Sequence, residues 1–300
     1  MISIIICSAN KTLLNEVSKN IEETIGVPYE IIATDNSSAE QGICAVYNKG
    51  ILQAQYDTLC FMHEDILIKT GNWGKLIVAS FQNDQQLGLI GIAGSSYKPL
   101  SPSSWGGVGI NTTYTNLIQS FKHKKRAPKL VYRNPNNENI SRVACVDGVW
   151  LCTNKTVTRD FKFDEVTFKG FHGYDIDFSL AVGQKYKVAV SFEVLIDHFS
   201  EGRYDKTWMD ENLKLHNKWH SYLPMNVEKL TPKQIMYIEK NTFKNFIDQL
   251  IRFKYPMFTA YRILWKNRGF FELNPKLFFK LKYYVLKKYI TGPKEIPLND

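Results

Sequence analysis

Nearly continuous apolar runs and longer helical stretches alternate along the first part of the chain. Ile2 to Cys7 is an apolar run of strand length, and Lys11 to Thr24 reads as a helix. Tyr29 to Thr34 predicts a second strand, ending in the polar turn Asp35-Asn36-Ser37-Ser38. Gly42 to Ala54 carries Ile43, Val46, Ile51 and Ala54 at mixed helical spacing, and Thr58 to Met62 is a buried strand running directly into His63-Glu64-Asp65. Trp73 to Phe81 predicts a helix and Leu87 to Ala93 a short apolar strand. Arg142 to Cys152 predicts two short strands or one bent strand around Asp147-Gly148. Asp175 to Val182 predicts a helix opened by acidic residues, and Lys187 to Ile196 a strand followed by Asp197-His198. This alternation predicts an α/β layer on a largely parallel sheet, whose ligands bind where strands end at their carboxyl edge. From Gly94 to Thr112 the chain is rich in Ser, Gly and Pro, with Trp105-Gly106-Gly107 near the centre, which predicts a functional loop or lid.

Composition narrows the class. A chain of 300 residues, 44% hydrophobic and 22% charged, has material for one large domain and an appendage. No stretch reaches the roughly 18 apolar residues of a membrane span, and the first residues lack the basic start and cleavage site of a signal peptide. The five cysteines lie mostly in apolar runs without the close spacing of a zinc or redox motif, which predicts core residues of a reduced, cytoplasmic protein. Charge is informative once divided. Residues 1 to 225 hold 23 basic and 23 acidic side chains, whereas residues 226 to 300 hold 15 basic and 6 acidic, so the whole net charge of +9 sits in the last quarter. A uniformly basic chain would point to nucleic acid; a neutral body with a basic, aromatic-rich tail points to an anionic surface such as a membrane leaflet.

Three clusters carry candidate chemistry. His63 and Asp65, two apart at a strand tip, can project toward the same side and suit a metal ion; taken alone the pair is a weak signal, and a turn-capping Asp with a backbone-satisfied His is the plainer account. Gly170-Phe171-His172-Gly173-Tyr174-Asp175-Ile176-Asp177 delivers two carboxylates to a helix start, where the partial positive charge favours either a base or a cap. Asp197-His198-Phe199-Ser200-Glu201-Gly202-Arg203 follows a strand. There His198 is a candidate ligand for a Mn²⁺-type ion and Arg203 for a phosphate, with a plain surface loop as the alternative.

The order of these pieces resembles family 2-like glycosyltransferases of the GT-A fold. Ser8-Ala9-Asn10 follows the first strand, Asp35-Asn36 the second, and Tyr47-Asn48-Lys49-Gly50 lies in a helix. His63-Glu64-Asp65, Asp147-Gly148, Tyr174-Asp175-Ile176-Asp177 and Asp197-His198 come after. The run Ala45 to Ile51 followed by Leu59 to Asp65 is similar to a bacterial branch of that superfamily, and the likeness covers about residues 1 to 220. The resemblance implies a GT-A-like catalytic domain over residues 1–225, a mixed and mostly parallel sheet flanked by helices, and a helical appendage over residues 226–300. It implies that Ser8, Asn10 and Asp35 contact the nucleoside and that Asn48, Glu64 and Arg203 belong to the donor site. Asp147 and Gly148 would lie beside sugar or acceptor. His63-Glu64-Asp65 would stand where the family has Asp-x-Asp, with Asp65 and His63 on Mn²⁺ or Mg²⁺, His198 as a further ligand and Asp175 as catalytic base. Two positions depart from the pattern: His63 replaces the first Asp, and Tyr174 replaces the Glu that precedes the base.

The expected activity is transfer of a sugar from a nucleotide sugar, UDP-sugar favoured, to a saccharide or lipid-linked saccharide acceptor in bacterial surface polysaccharide assembly. One base without an obvious nucleophile implies inversion. The competing readings are a sugar nucleotidyltransferase, for which Ser8-Ala9-Asn10-Lys11 is a poor phosphate loop, and a non-catalytic nucleotide-sugar or glycan-binding module. Between Lys244 and Lys288, aromatic residues and leucines interleave with lysine and arginine, predicting helices that pack on the body, touch an anionic membrane, or do both. A cytoplasmic protein, peripheral on the inner face of the cell membrane and without a nucleic-acid partner, is the corresponding expectation.

Overall fold

A computed structural model describes residues 1–107, 112–121, 126–200, 202, 204–266 and 269–292. The chain forms two compact units, one of residues 1–96 with 113–203 and one of residues 97–112 with 204–300.

The first unit is built on a seven-stranded sheet. Its order is Ile140–Val143, Lys187–Ser191, Leu87–Gly91, Trp150–Asn154, Thr58–Met62, Ile2–Ser8 and Tyr29–Asp35. Five strands run one way; Trp150–Asn154 and Ile140–Val143 run against them. The expected mixed, mostly parallel sheet is thus present. Central strands such as Thr58–Met62 are buried at every position, which is why they read as continuous apolar runs rather than alternating ones. Parallel neighbours need crossovers, and the helices Lys11–Thr24 and Ile43–Gln53 provide them. Asn10 opens the first by accepting from the backbone of Thr12 and Leu13. Ile43–Gln53 packs on Ile2–Ser8 at Gly50, where an added Cβ would lie 2.4 Å from Ile5 Cγ2. All five cysteines are free and four are buried.

A second sheet in this unit runs Cys145–Val146, Ala93–Ser95, Thr113–Gln119, Ile196–His198 and Ile66–Ile68, with Lys129–Arg133 on Thr113–Gln119. The single strand expected from Lys187 to Ile196 is therefore two strands in different sheets. So is the stretch from Thr58 to Ile68, which leaves the first sheet at His63 and enters the second at Ile66.

The expected loop from Gly94 to Thr112 starts later than expected: residues 99–107 carry no helix or strand, but the residues before them do. Ala93–Ser95 and Tyr97–Lys98 are strands, and the described residues up to Ser103 are buried; residues 108–111 lie outside the described part. Small residues serve close packing here rather than mobility: an added Cβ on Gly94 would meet the carbonyl of Cys145 at 2.5 Å. Tyr97–Lys98 pairs with Met225–Asn226 in the second unit. Buried Glu239 there accepts the Tyr97 hydroxyl at 2.7 Å and the Leu100 amide at 3.0 Å. Among the described residues this unit also has the helices Lys206–Trp219, Pro232–Arg252, Met257–Lys266, Gly269–Leu273 and Pro275–Thr291. Their starts are marked by Asp205 on Trp208, by a Thr231/Gln234 capping box with Pro232, and by Asn274 on Leu277 with Pro275.

Overpacking at the helix–sheet contact gives the test of this fold. Gly50→Ala is expected to cost about 1–3 kcal/mol, seen as a lower denaturant midpoint at unchanged slope.

Candidate active site

Strand register brings the polar residues together. Ile6 stands opposite Met62, so the two parallel strands end side by side. One step further the Ser8 hydroxyl donates to Glu64 Oε2 at 2.5 Å, and the Ala9 amide donates to Glu64 Oε1 at 3.0 Å. Ser8 and Glu64 thus fasten the two strand tips to each other. On the other side Trp150 pairs with Met62 and the His63 amide donates to Val149 O at 3.1 Å, which sets Asp147-Gly148 against His63. In the second sheet His198 pairs with Ile66, and the Phe199 amide donates to Asp65 O at 3.0 Å. His63, Asp65 and His198 therefore converge although they come from three separate strand ends.

Their ligand atoms lie within 4.8 Å of one another. Asp65 Oδ1 is 3.9 Å from His63 Nδ1 and 3.8 Å from His198 Nε2, too far for hydrogen bonds. That oxygen is buried and accepts no hydrogen bond from the described residues. A buried carboxylate oxygen without a donor costs about 1–3 kcal/mol or more, and a divalent cation between the three groups removes the cost. The residues fit such an ion, and two imidazoles with one carboxylate suit Mn²⁺ better than Mg²⁺, which prefers an all-oxygen shell.

Tyr174 prepares His63 for that role. Its hydroxyl donates to Gly148 O at 3.1 Å. With its only proton so used, the oxygen accepts from His63 Nε2, 2.9 Å away. His63 is then the Nε2–H tautomer, and the bare Nδ1 faces Asp65. Burial depresses the His63 pKa, with the Asp65 charge opposing, so the ring is held neutral as a ligand must be.

Asp175 stands in the first turn of Tyr174–Val182, after Gly173, whose φ of 81° is a turn that favours glycine. Its Oδ2 accepts from the Gly148 amide at 3.0 Å. Burial and then the nearby Asp147 charge push its pKa up to about 7, against the pull of backbone donors. It is thus a carboxylate poised to take a proton near neutral pH. Gly148 is the hinge of this corner: an added Cβ would meet Tyr174 Oη at 2.2 Å and Asp175 Cβ at 3.0 Å. Asp147 is half-buried and accepts from the Val149 amide at 3.0 Å.

The other expected residues have local duties. Asp35 pairs in register with Ser8 at the sheet edge and is exposed; it accepts from the Ser37 amide, which holds its carboxyl below the usual range. Asn10 is the helix cap already described. Asn48 donates to Phe163 O and to Glu165 Oε2, both at 2.9 Å, and accepts from the Phe163 amide, so its side chain tethers the segment after Asp160. Arg203 lies outside the described residues. Asp197 is buried and accepts from Ser120 at 2.6 Å, anchoring the strand that carries His198. Sequence reasoning flagged Tyr174 only as a departure and missed its bond to His63. It also gave no role to Phe171, whose half-exposed ring lies 5.2 Å from the His63 ring.

The family match gives the class. The glycosyltransferase-like family profile matches residues 3–224. No curated protein matches the sequence. Among solved structures, GalNAc-T7 with UDP, GalNAc and Mn²⁺ is similar at TM-score 0.48 and 10% identity; the alignment covers 98% of this chain and 58% of that one. TarS of S. aureus, residues 1–349, is similar at TM-score 0.47 and 12% identity, covering 98% of this chain and 93% of that one. Its complex with UDP-GlcNAc scores 0.46 at 11% identity with the same coverages.

The Tyr174 bond has a measurable consequence. Tyr174→Phe frees the His63 tautomer and is expected to weaken Mn²⁺ binding about 10–100-fold in calorimetric titration. The imidazole ¹⁵N shifts of His63 in the metal-free protein should move from a single Nε2–H form to a mixture.

Proposed function

Because the chain belongs to the glycosyltransferase-like family, we propose that it moves a sugar from a nucleotide-diphosphate sugar, UDP-sugar favoured, to a saccharide or lipid-linked saccharide acceptor with inversion. The setting of this reading is bacterial surface polysaccharide assembly on the cytoplasmic side of a membrane, which residues 226–300 would touch. The catalytic domain is residues 1–225.

One observation supports the chemistry: Asp175, its pKa raised, is bonded to Gly148, and the orphaned oxygen of Asp65 faces His63, whose ring is held at the same corner. Tyr174 bonds both the His63 ring and the Gly148 carbonyl, and Asp65 Oδ1 stands 3.9 Å from that ring. Asp65, His63 and His198 would hold Mn²⁺ or Mg²⁺, which supplies positive charge where a sugar–phosphate bond breaks and a diphosphate leaves. Asp175 takes the proton of the attacking acceptor hydroxyl, a general-base contribution of about 10²- to 10⁴-fold. Asp147 keeps that carboxylate basic by its own charge. Asp35 and Asn10, exposed at the strand edge, would lie along the nucleoside. Ser8 would contact the nucleoside too, with Glu64, which it bonds, part of the same donor site, and Arg203 would meet a phosphate. Phe171 offers a ring face against which a sugar can lie.

Two outcomes test the assignment. Asp175→Asn abolishes transfer while nucleotide affinity stays within about twofold, whereas Asp65→Ala weakens metal-assisted nucleotide binding as well; full activity of Asp175→Asn refutes the base. A base must be deprotonated to work, and the Asp175 pKa is raised to about 7. The kcat/KM profile therefore climbs with pH through about 7 and levels above it, and a profile already flat from pH 5 contradicts the role.

A further inference from the structure

The second unit ends in Pro275–Thr291, a helix with two apolar faces. Leu277, Phe278, Leu281 and Val285 are buried within the unit. On the opposite side Phe279, Tyr283, Leu286 and Ile290 are 57%, 66%, 43% and 75% exposed. These four positions follow one another at spacings of four, three and four residues, so they form a single stripe along the helix. The exposed rings of Phe271 and Trp265 extend the patch sideways. Phe271 lies 6.4 Å from Phe279, and both Phe271 and Trp265 pack on Phe278, which touches Phe279 at 5.5 Å.

Charge is arranged around the stripe rather than across it. Lys276, Lys280 and Lys287 are exposed along one flank and Lys282 along the other, with its ammonium 5.6 Å from the Trp265 ring centroid. No acidic residue occurs between Pro275 and Thr291. The fifth lysine, Lys288, is turned inward to Asp248 at 3.4 Å. On the Lys280 flank, Lys240, Lys244, Lys280, Tyr283 and Lys287 line a groove of about 560 Å³. Among the described residues no helix is long and apolar enough to cross a membrane.

We infer that the Pro275–Thr291 helix docks flat on an anionic lipid surface, its Phe279-Tyr283-Leu286-Ile290 stripe set into the headgroup–acyl boundary and its flanking lysines on lipid phosphates. The stripe supplies apolar area, and lysine stems lie along it while their ammonium groups reach outward. A protein partner would ask for mixed charges on the rim; the helix itself offers four exposed cations and no carboxylate, with Glu272 exposed next to Phe271 on the preceding helix, a balance that still favours a surface of negative sign. This rests on the membrane contact proposed for residues 226–300 and names the face that makes it; it stands apart from the transfer chemistry.

Cosedimentation of the full chain with vesicles tests it, using phosphatidylcholine alone and phosphatidylcholine with phosphatidylglycerol. The chain is expected to partition onto the anionic vesicles, weakly onto the neutral ones, and less as salt rises. A quadruple Phe279→Ser, Tyr283→Ser, Leu286→Ser, Ile290→Ser variant and a triple Lys276→Glu, Lys280→Glu, Lys287→Glu variant should each lose about tenfold or more of the partition coefficient. All these side chains are exposed, so circular dichroism and transfer to a water-soluble acceptor should be unchanged. Partitioning of both variants like the parent chain overturns the stripe while leaving a membrane contact elsewhere in the tail. A parent chain that ignores both vesicles overturns the stripe and the contact together. So does a parent dimer, by light scattering, that ignores vesicles and that the quadruple variant splits, since a second copy then covers this face.

Discussion

The parallel pairing that sets Ile6 opposite Met62 decides where the polar residues of the first unit go. Shift it by one residue and Ser8 no longer meets Glu64, while His63 turns its ring to the other face of the sheet. The antiparallel strand Trp150–Asn154 fixes the same strand from its other side and sets Gly148 beside His63. The chain then leaves this sheet, and a short antiparallel pair with Ile196–His198 returns an imidazole to Asp65. Three backbone registers, each enforced by buried apolar strands, build a site that no local segment contains.

That origin explains what could be read in advance. The strands and helices of the first half followed from apolar periodicity, and several start or end at the expected residue: Thr58–Met62 and Lys11–Thr24 have the predicted bounds. The second sheet escaped because its strands are short and mixed in polarity. Thr113–Gln119 holds Thr, Asn and Gln, and Lys129–Arg133 is mostly exposed, so neither shows a run or a clean alternation. The start of the expected loop at Gly94 was placed too early for a related reason: the small polar residues there are buried in short strands. At the site, residue types and chain order picked out His63, Asp65, His198 and Asp175. The Tyr174–His63 bond spans 111 residues and leaves no mark in local sequence. Nor could spacing reveal that Asn48 serves as a tether to Phe163 and Glu165 rather than standing free.

The two units divide the chemical resources of the chain. Balanced charge and the histidine–carboxylate cluster belong to the first. The second holds the basic excess, buries a polar core around Glu239 and Lys98, and leaves apolar side chains in the open on its last helix. The sequence allowed packing, membrane contact or both for that helix. Leu281 and Val285 are buried, which packing within the unit explains, whereas Tyr283 and Ile290 are exposed.

The most direct test of the proposed centre is electron spin-echo spectroscopy of Mn²⁺ bound with UDP to protein carrying ¹⁵N-labelled histidine. Coordination by Asp65 between His63 and His198 predicts couplings to two imidazole nitrogens. Mn²⁺ bound with UDP but without any histidine coupling would contradict the account.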